Sequence, residues 1–511
     1  MTAAGGQRSA NRFPWGPRGT GLVILVLFLL RVGDWFLSEL WFDEIITLND
    51  FVIGPPGHAF ANVFTRYTVA NNHPLFSAVG WVWLRLLGMH LNEFLLRLPS
   101  LAFSLCALLA ILFSWQRWLG KRGAAVCALV MAFSPVYAAF AWQFRGYALA
   151  MFLSVLAVSG AMWWREGSRL HGGLLLGSAL LCLPATIPAN LVLAASLLLF
   201  VAFCQPGPSA CNKRLKHALQ CWPLALAVVA GCMPYFIVWQ KFRKVMSQTD
   251  GWESGLLVAG HWGLAVLAHG GAVIVLAAVW WFTSDRQGSR SAVRASLQWG
   301  ACLLLPAAVA LGVSDPAPFP RVFLPLLPPL TFAAFLAFRD TGVWSRYSAL
   351  VLLGAVLVNG FVWERAGTYL ARKRMRAGKY PQNLLQQYYR GSESIRTSMR
   401  SLAETMPSVE GLMAISTFHD VLTVRYYLQL EGVPVSNVAA PGWNLDPGWL
   451  RRARDREMNV VAIALTAERA RQLMRKTGRV SKRLRVRKAG MRTMLISTPF
   501  LRQGSNGSAR E

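Results

Sequence analysis

The sequence predicts an all-α polytopic membrane domain of about eleven transmembrane helices, with interfacial helices in its first outer loop and a small C-terminal α/β extramembrane domain. Three observations predict it. Of 511 residues, 54% are hydrophobic and only 15% charged, and the chain carries 21 Trp and 28 Phe. Apolar runs near the ~20 residues that cross a bilayer recur through the first 364 positions. From Arg365 onward those runs stop, and short segments of mixed polarity replace them.

Taken in order, residues 1–19 read as a polar N-terminal tail, and the first span covers roughly 20–40. It has no small-residue cleavage site after it and holds Arg31 and Asp34, so it reads as a retained anchor rather than a signal peptide. The further spans fall near 98–116, 123–142, 146–164, 172–186, 188–204, 221–240, 259–282, 298–314, 322–338 and 347–364. Pro184 and Pro188 break the 172–204 pair, which reads as a hairpin that spans poorly. Segment 74–90 is apolar, but Arg85 interrupts it and His90 ends it.

Loop charge decides how that segment lies. If 74–90 does not cross, the basic groups Arg8/Arg12/Arg18, Arg117/Lys121/Arg122, Arg165/Arg169, Lys213/Arg214/Lys216, Arg286/Arg290/Arg294 and Arg339/Arg346 share the cytoplasmic side. If it crosses, every later basic loop moves outside. The non-crossing arrangement therefore places the loop after the first span and the C-terminal part outside. One basic group dissents: Lys241, Arg243 and Lys244 fall on the outer side.

The C-terminal domain, 365–502, reads as an α/β unit with strands at 412–416, 459–465 and 492–497, a helix containing Tyr426 and Tyr427, and a helix through Arg475. Residues 503–511 read as a disordered tail. From Arg365 the chain holds 27 Lys+Arg against 10 Asp+Glu, most of the net +29. On a chain with hydrophobic spans such a surface faces anionic headgroups or plain solvent rather than nucleic acid. The eight cysteines stand singly, none after Cys302, so the C-terminal part has neither disulfide nor thiolate metal site.

The chemistry-bearing residues lie in the predicted outer segments. Asp43 and Glu44 follow the first span, and adjacent carboxylates at a membrane edge are costly unless they do chemistry or handle ions. Capping of the helix beginning at Ile45 is the bland alternative. Beside them in topology stand Asn71-Asn72-His73-Pro74, Arg97-Leu98-Pro99-Ser100, Ser134-Pro135 through Arg145-Gly146-Tyr147, and Pro320-Arg321. Together they supply acid/base groups and fixed cations for an anionic substrate lying in lipid.

The ordered set Trp41-Phe42-Asp43-Glu44, His73-Pro74, Glu93-Phe94-Leu95-Leu96-Arg97-Leu98-Pro99-Ser100 and Ser134-Pro135…Arg145-Gly146-Tyr147 resembles the GT-C membrane glycosyltransferases. The branch resembled is that of bacterial protein-mannosyltransferase-like and aminoarabinose-transferase-like enzymes. The likeness covers about 20–165 and extends to Arg321-Val322-Phe323-Leu324-Pro325. The resemblance implies transfer of a sugar from a polyprenyl-phosphate carrier to a lipid, glycan or protein acceptor, by a multi-pass protein of the bacterial inner membrane with periplasmic site and C-terminal domain.

It further implies Asp43 as general base with Glu44 in support, and His73, Arg97, Arg145 and Arg321 toward the carrier phosphate. Tyr147 reads as a hydrogen-bond donor or as an interfacial belt residue. Asp43, Glu44 and His73 could jointly hold a divalent cation, which some members of the family use. Where many members have His-Pro-Pro, this chain has His73-Pro74-Leu75. A competing class is a transporter or flippase of lipid-linked saccharides, which calls for repeat symmetry and ionisable residues at mid-membrane; the sequence offers neither.

Overall fold

The computed structural model describes residues 17–67, 72–203, 218–247, 258–267, 320–337, 361–379, 395–405, 412–417, 420–441, 447–455, 458–476, 484–489 and 492–497, with single positions at 256, 269, 300 and 354. The predicted spans 298–314 and 347–364, the second half of 259–282, and the terminal tails lie largely or wholly outside the described residues. The chain forms two compact units. One comprises 1–36, 59–89 and 95–364; the other comprises 37–58, 90–94 and 365–511.

The first unit is helical. Its elements are α1 (Pro17–Phe36), α3 (Asn62–Thr65), α4 (Pro74–Leu86), most of α5 (Glu93–Ser114), α6 (Gln116–Phe133), α7 (Pro135–Phe140), α8 (Tyr147–Arg165), α9 (Arg169–Thr186), α10 (Leu191–Phe203), α11 (Trp222–Ile237) and α12 (Trp239–Ser247). Number α2 is kept for Phe42–Ile46 of the other unit. Among the described residues, α1, α5 and α8 are long and apolar enough to cross a membrane, and α11 with α12 makes a fourth candidate bent by 74°.

Burial shows what solvent these helices expect. In α1, Ile24, Phe28, Val32 and Phe36 recur every four residues and are buried, whereas Leu22 and Leu30 on other faces are 64% and 75% exposed. Leucine left open on that scale along a span is at home in hydrocarbon, not in water. Inside the bundle, glycine lets backbones approach. A Cβ on Gly172 would sit 2.5 Å from Trp164 N, and one on Gly160 would sit 2.6 Å from Leu176 N, which is how α8 and α9 pack so closely.

Helix α4 has 13 residues, about 20 Å, too short for a ~30 Å core. Its two ends stay near one end of the bundle. His73, at its start, bonds Gly146 at the head of α8, and Trp83, near its finish, donates to Leu95 O at 2.8 Å by the head of α5. The run predicted as one span over 123–142 is instead divided. Helix α6 stops at Phe133, Ser134 caps α7 by accepting from Tyr137 N, and 141–146 is unwound. Pro135 explains the stop, since the residue before a proline avoids helical backbone.

The second unit contains a five-stranded sheet ordered β2-β1-β3-β5-β4, with β1 Leu412–Ser416, β2 Val438–Ala439, β3 Asn459–Ala464, β4 Leu484–Ala489 and β5 Arg492–Ser497. Strands β2, β1 and β3 run parallel, and β5 and β4 continue antiparallel. All five residues of β1 are buried, as befits a central parallel strand covered on both faces. The loop after α1 belongs to this unit: Leu40 N donates to the Tyr427 hydroxyl at 2.7 Å, and Trp41 packs with Met375 and Leu465.

Candidate functional site

In the first unit the unwound backbone between α7 and α8 is fully buried, and polar side chains of α5 satisfy it. Ser100 Oγ donates to Gln143 O at 2.5 Å, and Ser104 Oγ donates to Ala141 O at 2.7 Å. Gln143 Nε2 adds a bond to Ala139 O at 2.6 Å. Irregular backbone within a bundle survives only with such partners. The unwinding presents Arg145, which is 0% exposed, beside His73, which is 4% exposed.

The two side chains meet directly, with Arg145 Nη2 3.2 Å from His73 Nε2. Gly146 N–H donates to His73 Nδ1 at 2.9 Å. Glycine is needed at 146, because a Cβ there would lie 2.9 Å from Thr186 Cγ2 and 3.0 Å from the His73 ring. An amide can only donate, so Nδ1 is the acceptor and the neutral ring carries its proton on Nε2. Burial first, then the positive charges of Arg145 and Arg321, hold the His73 pKa well below its ordinary 6.5. A neutral imidazole N–H and a guanidinium N–H thus converge as two donors, and the complement of such a pair is an anionic oxygen.

Arg321 opens the 3₁₀ turn Pro320–Leu326, which Ser154 of α8 holds by donating to Pro325 O at 2.6 Å. Tyr147 walls the site: its ring stands edge-on to His73 at 5.0 Å and to Phe140 at 5.0 Å, with the Arg145 guanidinium 5.5 Å from its centroid. At 1% exposure Tyr147 is a packed wall and not a belt residue. Arg97 has partners of its own. It donates to Phe36 O at 2.9 Å, tying down the end of α1, and lies 4.5 Å from the Trp142 ring centre. Asn72, which no sequence reading had assigned a task, braces the His73 approach by bonding Val63 O and accepting from Ser77 Oγ.

In the second unit, Asp43 and Glu44 lie in α2, 4% and 0% exposed. Glu44 Oε2 accepts from Trp41 N at 3.0 Å, so the capping alternative describes part of its work. Thr47 Oγ1 donates to Asp43 O at 3.0 Å, fixing the same turn. A polar cluster not foreseen from sequence, half-exposed at Arg396, lies in this unit. Glu39 accepts the amides that open helix Ile395–Thr405, and burial raises its pKa. Arg396 pairs with Glu93 at 3.0 Å, and burial followed by Glu93 and Glu39 pushes the Tyr427 phenol up.

The divalent-cation reading does not suit His73. One ring nitrogen takes an amide proton and the other faces Arg145, so a cation there would meet two guanidinium charges. Among the described residues, no group of three His, Cys, Asp or Glu gathers as a metal site.

No family model matches the chain, and no curated protein matches it. Solved structures similar to this chain include two of one protein. ArnT from Cupriavidus metallidurans in the apo state has a TM-score of 0.55 at 15% identity, covering 94% of this chain and 97% of that one. The same protein bound to undecaprenyl phosphate has a TM-score of 0.54 at 13% identity, with coverages of 94% and 97%. At these identities the likeness shows the fold alone, that of the ArnT structures; among the described residues three helices are long and apolar enough to cross a membrane.

Proposed function

We propose that this chain moves a sugar from a polyprenyl-phosphate carrier to a lipid, glycan or protein acceptor at the periplasmic face of a bacterial inner membrane. Residues 20–364 supply the transmembrane transferase domain and 365–502 a periplasmic domain. The observation that carries the reading is the paired donors of His73 Nε2–H and Arg145, with Arg321 contributing charge to the same ring. A leaving lipid phosphate gains negative charge as the glycosidic bond breaks, and fixed donors at that point lower the barrier. Arginine suits the task because its fork stays charged beside lipid. That one ArnT structure was solved with undecaprenyl phosphate supports the same substrate class.

In this reading Asp43 is the general base that takes the acceptor's proton. Glu44, tied to Trp41 N–H, positions the α2 turn that carries it. Arg97 adds positive potential and secures α1, and Tyr147 keeps the His73 ring in plane. Buried electrostatics of this kind act without reorganisation during the reaction.

The test separates the two roles. Purified protein in nanodiscs is given polyprenyl-phosphate-linked sugars and an envelope extract as the source of acceptor, and transfer is followed by mass spectrometry of the extract's lipids, glycans and proteins. Asp43→Asn is expected to lower turnover by about 10²–10⁴-fold while leaving carrier binding intact. Arg145→Lys is expected chiefly to weaken carrier binding. Undiminished transfer by Asp43→Asn would remove Asp43 as base, and carrier binding unaltered by Arg145→Lys would remove the phosphate seat.

A further inference from the structure

One basic group on the sequence ran against the loop-charge rule, and the structure gives it a setting. Helix α11 exposes Met233, Phe236 and Ile237 along its last turn, and the chain then bends by 74° into α12. Phe242 and Val245 of α12 pack onto Tyr67, Tyr235 and Val238, with Phe242 5.4 Å and 5.5 Å from the two tyrosine rings. Trp239 at the bend is 52% exposed, and Lys241, Arg243 and Lys244 are all exposed. A short amphipathic helix turned off the end of a span, with an aromatic at its hinge and cations on its open side, has the build of an interfacial helix.

Contacts within this unit place α12 at the His73 end. Gly231 of α11 sits against Leu181 of α9, α9 finishes with Thr186 beside Gly146, and Asn72, next to His73, donates to Val63 O four residues before Tyr67. We propose that Lys241, Arg243 and Lys244 bind the phosphate headgroups of anionic lipids in the leaflet toward which the catalytic end opens. The charge complementarity is local, and it accounts for three cations where the loop-charge rule puts none. This interaction does not depend on the transfer reaction.

The test titrates the full-length detergent-purified protein with phosphatidylglycerol and, separately, phosphatidylcholine, counting bound lipid by native mass spectrometry. Each interfacial cation contributes a factor of about five, so K241Q/R243Q/K244Q is expected to weaken phosphatidylglycerol binding roughly a hundredfold and leave phosphatidylcholine unchanged. K241R/K244R should retain the wild-type preference. Three results overturn the proposal: an unchanged preference in the triple variant, an equal loss in the control R117Q/K121Q/R122Q, or displacement of the lipid by millimolar inorganic phosphate, which would indicate a plain anion site.

Discussion

His73 is buried neutral, and that has a measurable cost at acid pH. In the unfolded chain the ring titrates near 6.5, whereas in the folded chain burial, Arg145 and Arg321 hold its pKa well below that value. The unfolded state therefore binds the extra proton first, and folding stability must fall as pH drops through 6.5 and continue falling toward the folded pKa. One pH unit corresponds to about 1.4 kcal/mol, so lowering pH from 7.5 to 5.5 should remove on the order of 1 kcal/mol through this group alone. The control is His73→Asn, whose amide oxygen can still accept from Gly146 N–H but which does not titrate. The assay compares thermal unfolding of the two proteins in nanodiscs across pH 5.0–8.0. The wild type should lose stability relative to the variant only below about pH 6.5. Transfer should decline in the same direction, because protonation puts an N–H on Nδ1 against the Gly146 amide 2.9 Å away. A difference that is flat with pH, or that grows as pH rises, would refute the neutral-ring assignment.

Three further substitutions probe the scaffold. Gly146→Ala inserts a methyl 2.9 Å from Thr186 Cγ2 and 3.0 Å from the His73 ring; overpacking of about 1–3 kcal/mol should appear in unfolding, and carrier KM should rise with it. Ser100→Ala removes one of two donors from the buried Gln143 carbonyl, which still accepts from Arg145 N–H, so a loss of about 1 kcal/mol is expected in chemical denaturation. Tyr427→Phe removes the acceptor of Leu40 N–H, and a comparable loss should be confined to unfolding of the sheet-bearing unit, read by limited proteolysis.

The parts legible from sequence are those with local signals. Spans such as α1, α5 and α8 announce themselves by apolar length, and strands β1, β3 and β5 by β-branched or apolar runs, each strand within a residue of its predicted range. The two strands not foreseen, β2 and β4, are the sheet's two edges. Their concealment is physical: β2 has only two residues, and β4, Leu484–Ala489, alternates apolar with basic side chains, a charged edge that deters further pairing. At the site, His73, Arg145 and Tyr147 were readable as a set, and the structure brings these three together. Asn72 and Ser100 were read within their motifs but given no task, and Ser104 was not singled out, because a hydroxyl or amide that bonds a distant carbonyl carries no periodic mark. The Glu39–Arg396 and Glu93–Arg396 contacts join positions more than 300 apart, and no sequence window contains both partners.

The breaks of helix at Ser134 and at 141–146 are what make the proposed anion seat possible. Had α6 continued unbroken into α8, Gly146 N–H would have been spent on the carbonyl four residues earlier, at Trp142, as in any α-helix. His73 Nδ1 would then lack the donor that fixes it as acceptor, and the proton would no longer be fixed on Nε2 beside the Arg145 donor. The freed carbonyls of Ala141 and Gln143 carry a desolvation cost in the interior, which Ser104 and Ser100 offset. Sequence and site are linked through that exchange: Pro135 halts the helix, two serines of α5 take up the released acceptors, and the released amide of Gly146 orients the imidazole. Removing either serine should therefore disturb carrier binding even though neither touches His73 or Arg145.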